Sequence, residues 1–298
     1  VYTFNDSNHY KGRWKNDKRD GHGEFTFLNG DRYDGNWKNG HIHGKGTFTT
    51  SVGDKYKGEW KNDMKDGQGT FSYANGDKYK GHWEKDKREG RGTINYVYGD
   101  RYDGEWKNGH IHGKGTFNTV AGDKYIGEWK NDIKDGKGAS IYSNGDTYIG
   151  GFKNNKMSGK GVYSYKNGNK YDGDWEKNNK EGQGKFTYSN GDIYIGEFKN
   201  NEMSGQGKYT FENGDIYEGD LINDKRTGQG TLVFSNGDIY VGQFKNNEMS
   251  GQGIYTFKNE DVYVGDFIND KRTGQGTLTY SNGDIYVGQF KNNEMSGQ

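Results

Sequence analysis

YDGNWKNG, residues 33–40, followed by HGKG at 43–46, is one copy of a pattern that recurs along the whole chain. Its Tyr returns every 23 residues without exception, at positions 10, 33, 56, 79, 102, 125, 148, 171, 194, 217, 240, 263 and 286. Gly stands two residues after each of these Tyr, and Trp, Phe or, once, Leu221 stands four residues after. A fixed period of this kind is typical of a tandem-repeat protein.

Apolar residues within each repeat alternate with a period of two, as in Tyr-x-Gly-x-Trp and Gly-x-Gly-x-Phe-x-Phe. This alternation predicts two strands per repeat with rings and glycines on one face. The structural residues predicted for this face begin with Tyr10, Gly12, Trp14, Gly21, Gly23, Tyr33, Gly35, Trp37, Tyr56, Gly58 and Trp60. We expect an all-β fold, an elongated single-layer antiparallel sheet of tandem β-hairpins with a right-handed twist.

The strand register follows from keeping like residues opposite each other. This rule predicts the pairs Trp14–Gly21, Gly12–Gly23 and Tyr10–Phe25 inside the first repeat, and Phe25–Tyr33 and Gly23–Gly35 between repeats. We expect about six polar residues, Lys15 to Asp20, to link the two strands of a repeat. A three-residue loop, Leu28-Asn29-Gly30 with Gly30 left-handed, should link one repeat to the next. Glu260 replaces the turn glycine, so we expect a different loop there, since a left-handed Glu is strained by about 1 kcal/mol.

Glycine inside a strand costs roughly 0.5–1 kcal/mol relative to alanine, so three glycines per repeat need a physical reason. We expect them to leave space for Tyr and Trp rings that lean over bare backbone. The rings would then replace the second layer that a sheet normally requires.

The composition is consistent with a core made mainly of aromatic rings. Hydrophobic residues make up 28% of the 298 positions and mean hydropathy is −1.28, yet aromatic residues reach 15%. Lys plus Arg equals Asp plus Glu at 42 each, which favours neither nucleic acid nor an acidic membrane. The chain has no Cys, no long apolar run, and one weak glycosylation match at Asn5-Asp6-Ser7. These features predict a cytoplasmic protein without nucleic-acid partners.

Candidate chemical sites are weak. The Gly-x-Gly segments lack the strand–loop–helix context that phosphate binding requires. His41-Ile42-His43 and the same motif at 110–112 could be metal ligands or polar turn residues, and we expect the second. Carboxylates such as Asp31 and Glu59 lie in exposed positions without a partner expected to shift their pKa values. We therefore expect no catalytic residue, no metal and no cofactor.

The face opposite the rings changes character along the chain. Early repeats flank the anchor Tyr with charge, as at Lys55, Lys57, Lys78 and Lys80, whereas later repeats flank it with aliphatic residues. The candidate partner-binding residues are Ile193, Ile195, Ile216, Ile239, Val241, Val262, Val264, Ile285 and Val287. Either these form an apolar strip for partner docking or self-association, or β-branched residues simply favour strands.

The block from Tyr33 to Gly40, followed by His43-Gly44-Lys45-Gly46, resembles the MORN repeat (membrane occupation and recognition nexus), and the resemblance covers the whole chain. It implies a single-layer sheet used for scaffolding in cytoskeletal and ciliary assemblies, at membrane contacts, or as a protein-binding appendage of an enzyme. Some members contact phosphoinositides or form dimers.

The resemblance therefore favours a non-catalytic scaffold, associated with the cytoskeleton or a cilium. Its partners would be helices or extended peptides of other proteins, bound in the aromatic–glycine groove or on the later apolar face. Homodimerisation stays open, as do two alternatives. The first is the MORN region of a larger enzyme. The second is a peripheral membrane tether that binds anionic lipid weakly through the basic residues Lys55, Lys57, Lys78, Lys80, Lys87 and Arg88.

We interpret residues 1–298 as one array. Residues 1–9 look like the end of a truncated repeat, 10–147 have a charged outer face, and 148–298 have an apolar one and end inside a repeat. The chain is therefore expected to be a window on a longer polypeptide. The motif Asn-Asn-Glu-Met-Ser-Gly-Gln recurs in full at 200, 246 and 292, which duplication explains.

Overall fold

The secondary structure consists of β-strands. The computed structural model describes residues 1–4 and 8–297, and these contain 27 strands and no helix. Two compact units are formed, one by Val1–Ser143 with Phe152–Asn155 and one by Asn144–Gly151 with Lys156–Gln298. Asn5-Asp6-Ser7, and with it part of the predicted 1–9 segment, lies outside the described residues.

In the first unit, successive strands pair antiparallel with their neighbours in sequence, and each full repeat supplies a seven-residue and a nine-residue strand. The strands are β1 (Tyr2–Thr3), β2 (His9–Lys15), β3 (Lys18–Thr26), β4 (Arg32–Lys38), β5 (His41–Thr49), β6 (Lys55–Lys61), β7 (Met64–Ser72), β8 (Lys78–Glu84), β9 (Lys87–Asn95), β10 (Arg101–Lys107), β11 (His110–Asn118), β12 (Lys124–Lys130) and β13 (Ile133–Ile141).

The second unit repeats the arrangement, with antiparallel pairs from β15 onward; β14 has residues in both units. The strands are β14 (Thr147–Lys153), β15 (Lys156–Ser164), β16 (Lys170–Glu176), β17 (Asn179–Thr187), β18 (Ile193–Lys199), β19 (Glu202–Thr210), β20 (Ile216–Ile222), β21 (Lys225–Val233), β22 (Ile239–Lys245), β23 (Glu248–Thr256), β24 (Val262–Ile268), β25 (Lys271–Thr279), β26 (Ile285–Lys291) and β27 (Glu294–Met295). The predicted all-β fold of tandem antiparallel hairpins is confirmed.

The predicted register is confirmed at four of five pairs. Tyr10–Phe25, Gly12–Gly23, Phe25–Tyr33 and Gly23–Gly35 face each other, but Trp14 faces Arg19 instead of Gly21. The six-residue link was wrong, because a two-residue turn joins Lys15 to Lys18.

A left-handed turn and a bulge explain this difference. Asn16 and Asp17 have φ of 51° and 57°, as expected for a tight hairpin turn. The register shift falls between Gly12 and Trp14, opposite a stretch in which Gly21 has φ of 88°. This third glycine of the repeat therefore serves the bulge, and does not make room for a ring.

The loop between repeats is as predicted. Gly30 is left-handed at φ 88°, and its N–H donates to the Phe27 carbonyl at 2.9 Å. Glu260 keeps the same loop, with φ of 69° and a 2.9 Å bond from its N–H to the Phe257 carbonyl, so the expectation of a different loop was wrong. The strands on both sides fix the loop and hold the strained residue in place.

The anchor Tyr forms the core. Tyr33 is buried, and its ring lies over a pair of facing glycines, Gly35 and Gly46. A Cβ atom added at Gly35 would lie 2.7 Å from the Tyr33 ring carbon Cζ, inside van der Waals contact. The Tyr33 hydroxyl donates a 2.9 Å hydrogen bond to the Asn36 carbonyl, which fixes the ring over the backbone.

Trp residues join these Tyr rings into a continuous row. The Trp37 ring lies edge-on between Tyr10 and Tyr33, with centroid distances of 5.6 and 5.3 Å. Its indole N–H donates to the Gly23 carbonyl at 3.1 Å. Edge-to-face pairs contribute about 0.5–1.5 kcal/mol each beyond area burial, so every repeat is stabilised by its neighbour.

Side-chain caps hold the loops of successive repeats together. The Asp31 carboxylate accepts the Ser51 N–H at 2.8 Å, and at the other end of the strands Asp63 accepts the Ile42 N–H at 2.7 Å. The bond from the Ser51 backbone lowers the pKa of Asp31 below its ordinary value. The expectation that nothing shifts the pKa of Asp31 was therefore wrong, and this carboxylate has a structural role.

Candidate interaction surfaces

The nine aliphatic residues predicted to bind a partner lie on the face opposite the rings, which we call the outer face. Val241, Val264 and Val287 expose 47%, 47% and 71% of their surface. Ile195, Ile239 and Ile285 are also exposed, whereas Ile193, Ile216 and Val262 are half-buried.

Cross-strand pairing makes part of this set contiguous. Val241 pairs with Ile254, and Ile254 pairs with Val264. We call Ile239, Val241, Ile254, Val262, Val264, Ile285 and Val287 the apolar strip. Ile195 is separated from it, because Lys208 and Glu218 form an ion pair at 2.5 Å in the intervening row.

Sequence reasoning missed Ile254 because it examined only the residues beside each anchor Tyr. The residue lies on the second strand of its repeat, where the pattern Gly253-Ile254-Tyr255 already places it opposite the ring face. Its exposure of 45% makes it a member of the strip.

The first unit has a basic patch on its outer face. Thr70 pairs with both Lys57 and Lys80, and Ser72 pairs in the same way with Lys55 and Lys78, so four exposed lysines lie together. Arg88, which the sequence grouped with this patch, is not part of it. Its guanidinium stacks 4.2 Å from the centre of the Trp106 ring and donates to the Gly109 carbonyl at 2.6 Å.

The predicted ring-face residues are mostly core. Tyr10, Tyr33, Tyr56, Trp37 and Trp60 are buried, whereas Trp14 is 45% exposed. Gly12, Gly23, Gly35 and Gly58 lie beneath the Tyr rings. What the ring face offers a partner is therefore a second set of half-buried rings at the loop side of the strands, such as Phe27 and Phe48.

The histidines of the two motifs lie in strands β5 and β11, so their prediction as turn residues was wrong, and the first histidine of each motif has a local structural contact. His41 Nδ1 lies 2.5 Å from Asp63 Oδ2, with both side chains exposed, and His110 lies 2.6 Å from Asp132 in the same way. Nowhere in residues 1–4 and 8–297 are three or more His, Asp or Glu side chains grouped closely enough to hold a metal ion. Nor do these ranges contain a helix of sufficient length and apolarity to cross a bilayer.

Comparison with known proteins identifies the repeat. The family model described as "MORN repeat" matches thirteen consecutive times, from 10–32 through 286–298. No curated protein matches the sequence.

Solved structures with some likeness include the SAS-4 TCP domain of Drosophila melanogaster in complex with a proline-rich motif of Ana2. It is 15% identical over 59% of this chain and 90% of that one, with a TM-score of 0.34. The TCP10 domain of Danio rerio CPAP in complex with a STIL peptide is 9% identical over 90% and 98%, with a TM-score of 0.25. Such low TM-scores support no inference about function. The thirteen matches of the family model are different in kind, because they cover the chain from residue 10 to its last residue: the chain belongs to the MORN-repeat family.

Proposed function

We propose that this chain is a non-catalytic scaffold that binds other proteins, with the apolar strip of the second unit as a docking surface. Family membership is consistent with a protein-interaction scaffold. The observation that carries the proposal is the exposed row Val241, Ile254 and Val264, whose members pair directly across three strands. Contiguous exposed apolar rows of this kind mark interaction sites in water-exposed sheets.

The gain from covering the strip can be estimated. Full burial of a Val or Ile side chain is worth about 1.5–3 kcal/mol, so burying the exposed half of one is worth about 1 kcal/mol. The strip residues together can then supply several kcal/mol, enough for a specific but reversible interaction after the cost of association. A cytoskeletal or ciliary protein with an apolar face is the partner we propose.

The chain provides its own control for a test. Lys57 and Lys80 stand in the first unit where Val241 and Val264 stand in the second, so the repeat accepts lysine at this position. The variant Val241→Lys with Val264→Lys should therefore fold normally and lose partner capture and any self-association. Binding would be followed by light scattering and by pull-down of a partner previously identified with the native chain.

The reverse variant, Lys57→Val with Lys80→Val, is the matched control, since it changes the same repeat position outside the strip. It should keep full partner capture. Unchanged capture by the Val241→Lys, Val264→Lys variant, with an unaltered circular dichroism spectrum, would show that the strip is not the docking surface.

A peripheral membrane tether is the second candidate, and the four-lysine patch of the first unit favours it. Each basic residue near an anionic bilayer contributes about 1 kcal/mol. The native chain should then co-sediment with vesicles that contain phosphatidylserine, whereas the variant Lys55→Thr with Lys57→Thr should stay in the supernatant. Equal sedimentation with neutral vesicles would exclude an electrostatic tether.

A further inference from the structure

The ring face of the second unit has a feature that neither the strip nor the core explains. Six rings run in an unbroken zigzag across three successive repeats, with centroid distances of 4.6, 6.0, 4.5, 5.9 and 4.5 Å. We call them the ring row; they are Tyr163, Tyr165, Phe186, Tyr188, Tyr209 and Phe211. Each of the three repeats supplies two of these rings, and most of the rings are half-buried.

Cations lie over this row in every second repeat. The Lys180 ammonium lies 4.8 Å from the centre of the Phe186 ring, and the Arg226 guanidinium lies 5.8 Å from that of Phe211. Met203 takes the equivalent position in the repeat between them. Arg272 continues the alternation and lies 5.3 Å from the centre of the Phe257 ring.

The Lys180 ammonium has unused donors. It contacts rings but makes no hydrogen bond or ion pair within the part of the chain that the structure describes. Burial lowers its pKa below the ordinary value, so a bound carboxylate would be favourable here. Lys180 and Arg226 line one groove of about 570 Å³, whose single carboxylate, Asp224, already accepts the Met203 N–H at 2.7 Å.

The distance between equivalent rings of neighbouring repeats favours one peptide conformation over the others. Strands about 4.8 Å apart, two per repeat, give a pitch of about 9.6 Å. Polyproline II advances about 9.3 Å in three residues and returns to the same face. Two turns of an α-helix advance about 10.8 Å. A β-strand advances about 10 Å in three residues but then presents its opposite face.

We propose that the ring row binds a proline-rich segment in the polyproline II conformation, with an acidic residue at every sixth position. Each third residue of the segment would lie on a ring of the next repeat. Six residues span about 19 Å, the separation of cations two repeats apart, so successive carboxylates would reach Lys180 and Arg226. Aromatic grooves are a known means of holding this preformed, low-entropy helix.

The equivalent row of rings is interrupted in the first unit. Threonine replaces the ring at two of the positions equivalent to Tyr188, Thr50 and Thr119, and the position equivalent to Lys180 is aliphatic at Ile42 and Ile111. Its groove near Trp37 and Trp60 also has two cations, Arg19 and Lys65, two repeats apart, but its ring row is interrupted at Thr50.

The test uses the full chain and a fluorescent peptide made of three copies of Pro-Pro-Glu-Pro-Pro-Ser, with binding measured by anisotropy. Matched peptides carry Lys in place of Glu, or Glu at every fifth position, and an α-helical peptide has the same charge. We expect the first peptide to bind most tightly. Equal or tighter binding of the Lys-containing peptide or the helix would overturn the proposal, as would no binding of any peptide.

Two variants use residues that the chain already has at these positions, so that folding should be kept. Lys180→Met with Arg226→Met should weaken the acidic peptide at least about tenfold and abolish its preference over the Lys-containing peptide. Tyr165→Thr with Tyr188→Thr should weaken both peptides. Unaltered affinity in either folded variant would overturn the proposal.

The site goes beyond the proposed docking strip and can fail separately from it. Val241→Lys with Val264→Lys changes the outer face and should leave peptide affinity unchanged. Lost peptide binding in that variant would overturn the ring-row site, whereas retained partner capture in it would overturn only the strip.

Discussion

Gly159 and Gly161 stand two residues apart in strand β15, yet only Gly161 lies beneath a Tyr ring, so substitutions at the two positions should have different effects. A Cβ atom at Gly161 would lie 2.6 Å from Cζ of the fully buried Tyr148 ring, whereas one at Gly159 would meet nothing within 4 Å. Gly161→Ala therefore forces the ring away, and Gly159→Ala does not. Gly159 has φ of 71°, so its substitution costs about 1 kcal/mol of backbone strain.

The cost of Gly161→Ala can be built from its parts. Displacing a packed ring costs about 1–3 kcal/mol, and breaking the 2.9 Å bond from the Tyr148 hydroxyl to the Gly151 carbonyl costs about 1 kcal/mol. Replacing glycine in the unfolded chain returns about 0.5–1 kcal/mol. The net destabilisation is about 2 kcal/mol.

A double-mutant cycle separates the clash from backbone effects. With Tyr148→Ala as background, Gly161→Ala should cost nothing or stabilise slightly, which gives a coupling of about 2 kcal/mol. Gly159→Ala should cost the same in both backgrounds. Urea unfolding, with amide hydrogen exchange across residues 156–164, measures both. A coupling near zero at Gly161 would refute the role of the glycine as a seat for the ring.

Three further outcomes follow from single sites. Glu260→Gly should raise stability by about 1 kcal/mol in urea unfolding, because it relieves a left-handed Glu at φ 69°; an unchanged or lower stability would show no strain. Hydrogen bonds from the Lys166 N–H and from the Tyr163 hydroxyl lower the pKa of Asp146. The contribution of this carboxylate to folding stability is therefore complete above pH 3.8 and is lost as the pH falls through the lower pKa of the folded state. In an NMR titration the Lys166 amide proton should therefore shift below pH 3.8, whereas the Ser189 amide, bonded to the neutral Asn169, should not; matching titrations would contradict this. Burial raises the pKa of Tyr240 from 10.0 to about 12, so the contribution of this residue to folding stability is full below pH 10 and is lost as the pH rises toward 12; a Tyr240 ring-carbon NMR signal that already titrates at pH 10 in the folded chain would contradict it.

The repeat, the strand alternation and the inter-repeat loop were predictable because each depends on residues close in sequence. The alternation of side chains between the two faces of the sheet required a three-residue loop before Tyr33, and Gly30 supplied its left-handed position. The length of the turn inside the repeat could not be predicted from this alternation. A bulge between Arg19 and Gly23 absorbs two extra residues, so a shorter turn still lets Tyr10 face Phe25.

Long-range contacts explain the other differences. Arg88 looked like a surface charge, but its guanidinium reaches the Trp106 ring of the following repeat, a contact that strand alternation does not reveal. Likewise, the loop at Glu260 keeps its shape because the strands on both sides and the bond from the Ser281 N–H to Asp261 hold it. The apolar strip was predicted in part, and Ile254 joined it only when cross-strand pairs were known.

The central claim is that each anchor Tyr lies on a pair of glycines and so replaces a second layer of the sheet. NMR of chain labelled with carbon-13 at Tyr rings and glycine Cα tests it directly, with Tyr148 and its neighbours Gly150 and Gly161 as the reporting set. We predict strong nuclear Overhauser effects between the Tyr148 ring and the α-protons of both glycines, with those protons shifted upfield by the ring. Glycine α-protons at unperturbed shifts and without ring contacts would contradict the claim.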